Sequence, residues 1–375
     1  MRFEFATAGR IVFGTGTVRE VPAAAAEMGR RALLVTRASA DLSCTGLTGE
    51  PFPIHAEPTV EMVRHGTERA REAGCDVVIA MGGGSAIDAG KAIAALLANG
   101  GDPLDYLEVV GQAKPLSRPS APFIAIPTTA GTGSEVTRNA VLASPEHRMK
   151  ASLRSPFMLP ALAVVDPELT LDLPAALTAS TGLDALTQLI EPYVSIRANA
   201  MTDLYCVEGL RLAASALRRA WRDGRDLAAR TDMAFASLLG GLALANAGLG
   251  AVHGFAAPLG GMFDAPHGAL CAALLPHAMA VNIAALRYAA SQEGLMRYAA
   301  IARILTSRSD AAPEDGAAWV ARLCGDLEIQ PLRAYGVRPA DIPTLAEKAA
   351  RASSMKANPI VLTPAQLEEL LARAL

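Results

Sequence analysis

Asp76-Val77-Val78-Ile79-Ala80-Met81-Gly82-Gly83-Gly84-Ser85-Ala86-Ile87-Asp88 decides how the first half of the chain is read. Asp76 to Met81 is a short apolar run without polar alternation, the pattern of a strand covered on both faces. Three consecutive glycines end it, and a helical pattern from Ala86 to Leu97 follows. Glycine permits a sharp turn and lets the backbone come close to a ligand. A helix that opens there presents free N–H groups and a partial positive charge, which together favour a phosphate. Ser85 is placed to add a hydroxyl donor or to cap the helix. The stretch is not G-x-G-x-x-G, so the expectation of a pyrophosphate at Gly82, Gly83, Gly84 and Ser85 rests on the strand before and the helix after.

Working outward, the same alternation recurs. Arg31 to Thr36, Pro122 to Pro127 and Ala161 to Val165 read as further buried strands, and Val60 to Ala73 reads as a helix. Strands and helices at this spacing imply βαβ units and a parallel sheet. A second polar loop, Pro127-Thr128-Thr129-Ala130-Gly131-Thr132-Gly133-Ser134-Glu135, leaves the end of the next strand. Open α/β sheets take their ligands at that edge. From about Pro174 onward, Ala/Leu-rich helical patterns dominate, as in Thr202 to Ala220, Arg230 to Ala247 and Pro364 to Leu375. Asp166-Pro167 and Pro174 punctuate the change. The expected organisation is an α/β dinucleotide-binding domain over residues 1–170 and an all-helical metal and substrate domain over residues 171–375.

The 375 residues are 51% hydrophobic and 19% charged, which suits two packed domains and not a disordered chain. A net charge of −3 gives no electrostatic basis for binding nucleic acid. Cys44, Cys75, Cys206, Cys271 and Cys324 are scattered, with no CxxC pair. That argues for a reducing, cytoplasmic compartment, and against both a disulfide frame and a thiolate zinc site. The amino terminus lacks an apolar leader, and no uninterrupted apolar run reaches the ~18 residues of a membrane span.

The helical half holds a cluster of candidate ligands. Asp184 and Gln188, at i and i+4, share one face of a helix that also carries apolar residues. A carboxylate on an inward face needs a positive partner or a metal. His253 and His267 bracket a glycine-rich segment, and His277 follows, so three of the six histidines fall close together. One aspartate with two histidines suits Zn²⁺ or Fe²⁺ with a position left open for substrate.

Together these segments resemble the iron-containing (group III) alcohol dehydrogenases across essentially the whole chain. The resemblance is carried by Gly82 to Ser85 with Asp88 and Lys91, by Pro127 to Glu135, by Val165-Asp166-Pro167-Glu168-Leu169, by Gly182 to Thr187, and by His253 to His267. It implies the dehydroquinate synthase-like fold, a Rossmann-like parallel sheet followed by a helical domain, with the active site in a cleft between them. It further implies a small alcohol, aldehyde or ketone as substrate, an NAD(P) cofactor, a divalent metal (Fe²⁺ or Zn²⁺) and a homodimer. By the same resemblance, Thr128, Thr129 and Thr132 line the cofactor, Leu169 packs near the nicotinamide, and Lys150 matches a lysine that reaches the cofactor ribose. Metal ligands fall on Asp184, Gln188, His253 and His267.

Three departures matter. Gln188 stands where the family has a ligand histidine, and an amide oxygen is a poorer, harder ligand. Ala257, four residues after His253, replaces a histidine found near the substrate in many metal-dependent members. Arg37 follows the strand ending at Thr36, where NAD-selective members often place an aspartate that would repel a 2′-phosphate. The expectation is therefore NAD(P), leaning to NADPH. Rival expectations are a maleylacetate-reductase-like reduction of an oxo-acid without metal, a dehydroquinate-synthase-like cyclase or lyase, and a non-catalytic nucleotide-binding relative.

Overall fold

The computed structural model describes residues 2–37, 45–147 and 149–375; Cys44 lies outside them. Its strands are β1 (Arg10–Phe13), β2 (Ala32–Arg37), β3 (Glu50–Ile54), β4 (Val77–Gly82), β5 (Phe123–Pro127), β6 (Asn139–Ser144), β7 (Met149–Arg154) and β8 (Leu162–Val165). Six of them form one parallel sheet in the order β1-β8-β5-β4-β2-β3, while β6 and β7 pair as an antiparallel hairpin. The helices of this half are α1 (Val21–Met28), α2 (Val60–Glu72), α3 (Gly84–Asn99) and the single turn α4 (Pro103–Tyr106).

Every residue of β4 is buried, and its side chains divide between two cores. Val78 and Ala80 enter a cluster with Ile87 and Ile93 of α3 and Val63 of α2. Val77, Ile79 and Met81 enter another with Val21 and Ala24 of α1. Successive side chains of a strand point to opposite faces, so a strand sandwiched by helices must be apolar at every position. That is why the run at Asp76–Met81 lacks alternation. Gly90 brings α3 onto the sheet, since a Cβ there would lie 2.7 Å from both Ala80 Cβ and the Phe123 ring.

The second half is helical: α5 (Ala175–Val194), α6 (Ala200–Arg222), α7 (Leu227–Ala247), α8 (Ala251–Met262), α9 (His267–Tyr288), α10 (Gln292–Thr306), α11 (Pro313–Asp326), α12 (Ile342–Arg351) and α13 (Pro364–Ala374). Small residues let α5 approach α6: a Cβ on Gly182 would strike Leu217, and one on Gly209 would strike Leu189. The α/β class followed by helices is thus the one expected from sequence. Two compact units are present, one comprising residues 5–129 and 133–171, the other residues 2–4, 130–132 and 172–375. Among the described residues, two helices, α7 and α9, are long and apolar enough to cross a membrane by length and composition, but 67% and 83% of their apolar windows are buried inside the protein. They are core helices of the helical unit.

Candidate metal centre and dinucleotide turn

In the α/β unit, β4 and β5 run side by side with Gly82 opposite Pro127. The glycine turn and the threonine loop therefore leave neighbouring strands at the same edge. Thr128 N donates to Gly82 O at 2.9 Å, and Thr129 covers Gly83, whose absent Cβ would sit 3.3 Å from Thr129 Cγ2. Gly83 is the N-cap of α3, and no side chain caps that end. Ser85 lies inside the first turn and is not the cap, so its role as a hydroxyl donor is the one that remains open to it. Arg37 is the exposed last residue of β2, next to β4 in the sheet. Leu169 packs against the core cluster on the α1 side of the sheet.

Asp88 and Lys150 are engaged within this unit. The Asp88 carboxylate accepts from Val141 N at 3.0 Å and lies 3.5 Å from Lys91 Nζ. Lys91 also donates to Thr137 Oγ1 and Asn139 O. Burial raises the pKa of Asp88 and lowers that of Lys91. Nearby Glu135 is buried too, and desolvation pushes its pKa to about 7. Lys150, on β7, has its Nζ 2.5 Å from Glu57 Oε2. Thr132 belongs to the short segment counted with the helical unit, where Gly131 packs against Thr181.

In the helical unit, three helices bring the expected ligands together. Asp184 and Gln188 project from α5, His253 from α8, and His267 is the first residue of α9. His253 Nε2 is 3.4 Å and His267 Nε2 is 3.8 Å from Asp184 Oδ1. The imidazole centroids are 5.4 Å apart. Asp184, Gln188 and His253 are buried, whereas the His267 side chain is 40% exposed and forms the open side of the group. His277 stands further along α9 in a groove facing α11.

Two residues that sequence reasoning left without a role complete the cluster. Cys271, one turn after His267 on α9, has its Sγ 3.6 Å from His267 Nε2 and 3.9 Å from His253 Nε2. Glu191, seven residues after Asp184 on α5, accepts from His253 Nδ1 at 2.7 Å and from Val252 N at 2.7 Å. One carboxylate thereby fixes both the amino end of α8 and the orientation of His253. Asn358 Oδ1 secures the same helix end by accepting from Ala251 N. Helical spacing was the available signal for both residues: 184, 188 and 191 form one stripe, and 267 and 271 are i and i+4. Counting cysteine pairs argued against a thiolate site; the fold instead places a single cysteine beside two histidines.

The electrostatics are those of a cation site. Burial alone would raise the pKa of Asp184, yet His267 and His253 hold it below the usual carboxylate range. Burial works to lower His253, but Cys271, Asp184 and Glu191 outweigh it and raise its pKa well above the ordinary value. Cys271 and Asp184 likewise push His267 up to about 9. Asp184 Oδ1 and Gln188 Oε1 are buried without a hydrogen-bond partner. Leaving such atoms unpaired is costly unless something else binds them. Asp184, His253, His267 and Cys271 each offer one ligand atom, all within 4.8 Å of one another. The donor set and its orphaned acceptors fit a divalent metal.

Comparison with known proteins agrees with this chemistry. Residues 8–167 match the family described as iron-containing alcohol dehydrogenase, and residues 178–375 match the carboxyl-terminal portion of that family. The chain is 38% identical to 1,3-propanediol dehydrogenase of Citrobacter freundii over 327 residues, 86% of this chain and 81% of that one. It is 34% identical to NAD-dependent methanol dehydrogenase of Bacillus methanolicus over 97% of each protein. A crystal structure of 1,3-propanediol oxidoreductase superposes with a TM-score of 0.92, at 34% identity and over the full length of both chains.

Proposed function

This chain belongs to the iron-containing alcohol dehydrogenase family, and from that premise we propose that Asp184, His253 and His267 hold a divalent metal while Gly82–Ser85 grips the pyrophosphate of the cofactor. The protein is an NAD(P)-dependent oxidoreductase that interconverts a small alcohol and its aldehyde or ketone. The observation that carries the metal reading is Asp184 Oδ1, a buried carboxylate oxygen with no hydrogen-bond partner, facing two imidazole nitrogens.

When bound, the metal supplies a Lewis acid for the substrate oxygen, and the nicotinamide supplies or accepts hydride. The chain's own residues do the rest. Asp184 provides buried negative charge opposite the two histidines. Glu191 accepts the Nδ1 proton of His253, which leaves the Nε2 lone pair facing Asp184 Oδ1. His267, partly exposed, marks the side from which a small alcohol reaches the centre. Ala257 offers no titratable group one turn after His253, so this position on α8 supplies no proton carrier.

In the α/β unit, the uncapped amino end of α3 and the glycine turn bind the pyrophosphate. Thr128, Thr129 and Thr132 line the cofactor, with Leu169 near the nicotinamide. Asp88, bonded to Val141 N, belongs to the cofactor site, and Lys150, paired with Glu57, acts on the ribose side. Arg37, at the sheet edge one strand from the glycine turn, favours a 2′-phosphate and hence NADPH. We further propose a cytoplasmic location and a homodimeric state, the second of which light scattering of the purified protein tests directly.

The decisive experiment joins elemental analysis of the purified protein to a screen of NADH and NADPH oxidation over small aldehydes and oxo-acids. The expected result is one metal per chain and turnover of aldehydes that is lost in Asp184→Ala. Full activity in protein containing no metal would overturn the ligand assignment. Activity confined to oxo-acids would overturn the substrate class.

A further inference from the structure

We propose that the fourth protein ligand of this centre is Cys271 Sγ and not Gln188, giving one carboxylate oxygen, two imidazole nitrogens and one thiolate, a set that selects zinc. The inference rests on the reading that Asp184, His253 and His267 hold a metal.

The geometry is the first argument. Zinc binds nitrogen and oxygen at about 2.0–2.2 Å and sulfur at about 2.3 Å. A tetrahedron with those bonds has ligand–ligand edges of roughly 3.3–3.8 Å, since each edge is about 1.6 bond lengths. Four edges of the observed group are 3.4, 3.6, 3.8 and 3.9 Å. All four donor atoms fall within 4.8 Å of one another. The group is therefore close to the size of a zinc tetrahedron before any ion enters.

Gln188 is occupied in a different way. Its Nε2 donates to Asp184 Oδ2 at 3.0 Å. A carboxylate only accepts, so the amino half of the amide must face it. Gln188 is thus a positioning residue: it holds one oxygen of Asp184 and leaves the other, Oδ1, without a partner and facing the histidines. The amide that replaces a ligand histidine has become a support for the aspartate, and the vacated donor position is filled from α9.

Cys271 is completely buried, and its polar neighbours are two imidazoles and the Asp184 carboxylate. Among the described residues, Cys206, buried on α6, and Cys324, which spends its hydrogen on Ala272 O, have no imidazole beside the sulfur. Those are packing cysteines. On coordination the Cys271 thiol proton passes to solvent and the sulfur donates its electron pair; nothing is oxidised or reduced. A thiolate is a soft ligand of the kind that suits Zn²⁺, and a four-coordinate set of nitrogen, oxygen and sulfur donors is the common one for that ion.

The test uses the full-length protein stripped of metal with a chelator and titrated with Co²⁺. A cobalt–thiolate bond gives intense sulfur-to-metal charge-transfer absorption in the near ultraviolet, which oxygen and nitrogen ligands do not. We expect that band to saturate at one Co²⁺ per chain and to be absent from Cys271→Ser. We expect Cys271→Ser to bind Zn²⁺ at least about 10–100-fold more weakly, and Gln188→Ala to keep the band. In case Cys271→Ser fails to fold, alkylation of the native protein followed by mass spectrometry gives a second readout: one equivalent of Zn²⁺ should protect Cys271. Stoichiometric cobalt binding without the band, or a band unchanged in Cys271→Ser, overturns the cysteine assignment and leaves the metal reading intact. Absence of any metal binding in protein that still turns over aldehydes overturns both.

Discussion

Replacing Glu191 by glutamine tests how the metal centre is held, because the substitution changes charge and hydrogen-bonding sense but hardly changes shape. The native carboxylate accepts from two donors, Val252 N and His253 Nδ1, each at 2.7 Å. An amide has one accepting oxygen and one donating NH₂. If its oxygen stays on Val252 N, the NH₂ faces His253, whose Nδ1 must then accept, so the ring proton moves to Nε2. That nitrogen is the one 3.4 Å from Asp184 Oδ1, and a protonated Nε2 cannot be a ligand. If the oxygen turns to His253 instead, the NH₂ meets the Val252 N–H, and a buried donor is left unpaired at a cost of about 1–3 kcal/mol. Loss of such a supporting carboxylate is expected to weaken metal binding about 10–100-fold, or roughly 1.4–2.7 kcal/mol. The assay is competition between metal-stripped protein and a chromophoric zinc chelator, with urea midpoints measured alongside. Glu191→Gln should lower the zinc affinity through the first arrangement or the metal-free stability through the second. Zinc affinity within twofold of wild type together with an unchanged urea midpoint would refute the claim that this carboxylate sets the tautomer of His253.

Three further outcomes are expected. Gly83→Ala places a Cβ 3.3 Å from Thr129 Cγ2 at the mouth of the glycine turn; titration by nicotinamide fluorescence should show cofactor affinity reduced at least about 10-fold, or about 1.4 kcal/mol, with metal content unchanged. Arg37→Asp should move the ratio of kcat/KM for NADPH over NADH toward NADH, and an unchanged ratio would place Arg37 outside the 2′-phosphate site. Glu135 has a folded pKa of about 7 against an ordinary 4.5, so the native state holds its proton more tightly and stability falls as pH rises through that interval, by up to about 3 kcal/mol; Glu135→Gln should remove that loss, and urea midpoints whose wild-type–variant difference is the same at pH 5 and pH 8 would contradict it.

The central strands were legible because burial on both faces leaves no choice of residue. β4 and β5 carry an apolar side chain or a closely packed glycine at nearly every position, and a run of that kind has few other readings. The sheet's edges were not legible for the complementary reason. β3 is Glu50-Pro-Phe-Pro-Ile54, and two prolines argue against a strand unless it lies at an edge, where missing N–H groups cost no ladder bond. β1 is only four residues long and lies at the opposite edge, while the β6–β7 hairpin alternates buried and half-buried positions outside the parallel sheet. Edge elements are specified by what they lie against, and a local window holds no record of that.

The metal site divides along the same line, and the division explains which ligand escaped notice. Asp184, His253 and His267 belong to residue types whose burial demands a partner, so their presence in apolar helical segments was itself a signal. Cysteine gives no such signal, because a buried thiol packs as an ordinary small apolar side chain. Cys271 sits in α9 among Ala, Leu and Pro, a helix apolar enough to meet the length and composition of a membrane span. Only the meeting of α5, α8 and α9 separates it from Cys206, which is equally buried on α6. The sequence could still have raised the question through Gln188. An amide at i+4 from a buried aspartate can donate to that aspartate, but it leaves the centre one strong donor short. A residue one turn beyond His267 on the same helix face is where the missing donor could be supplied.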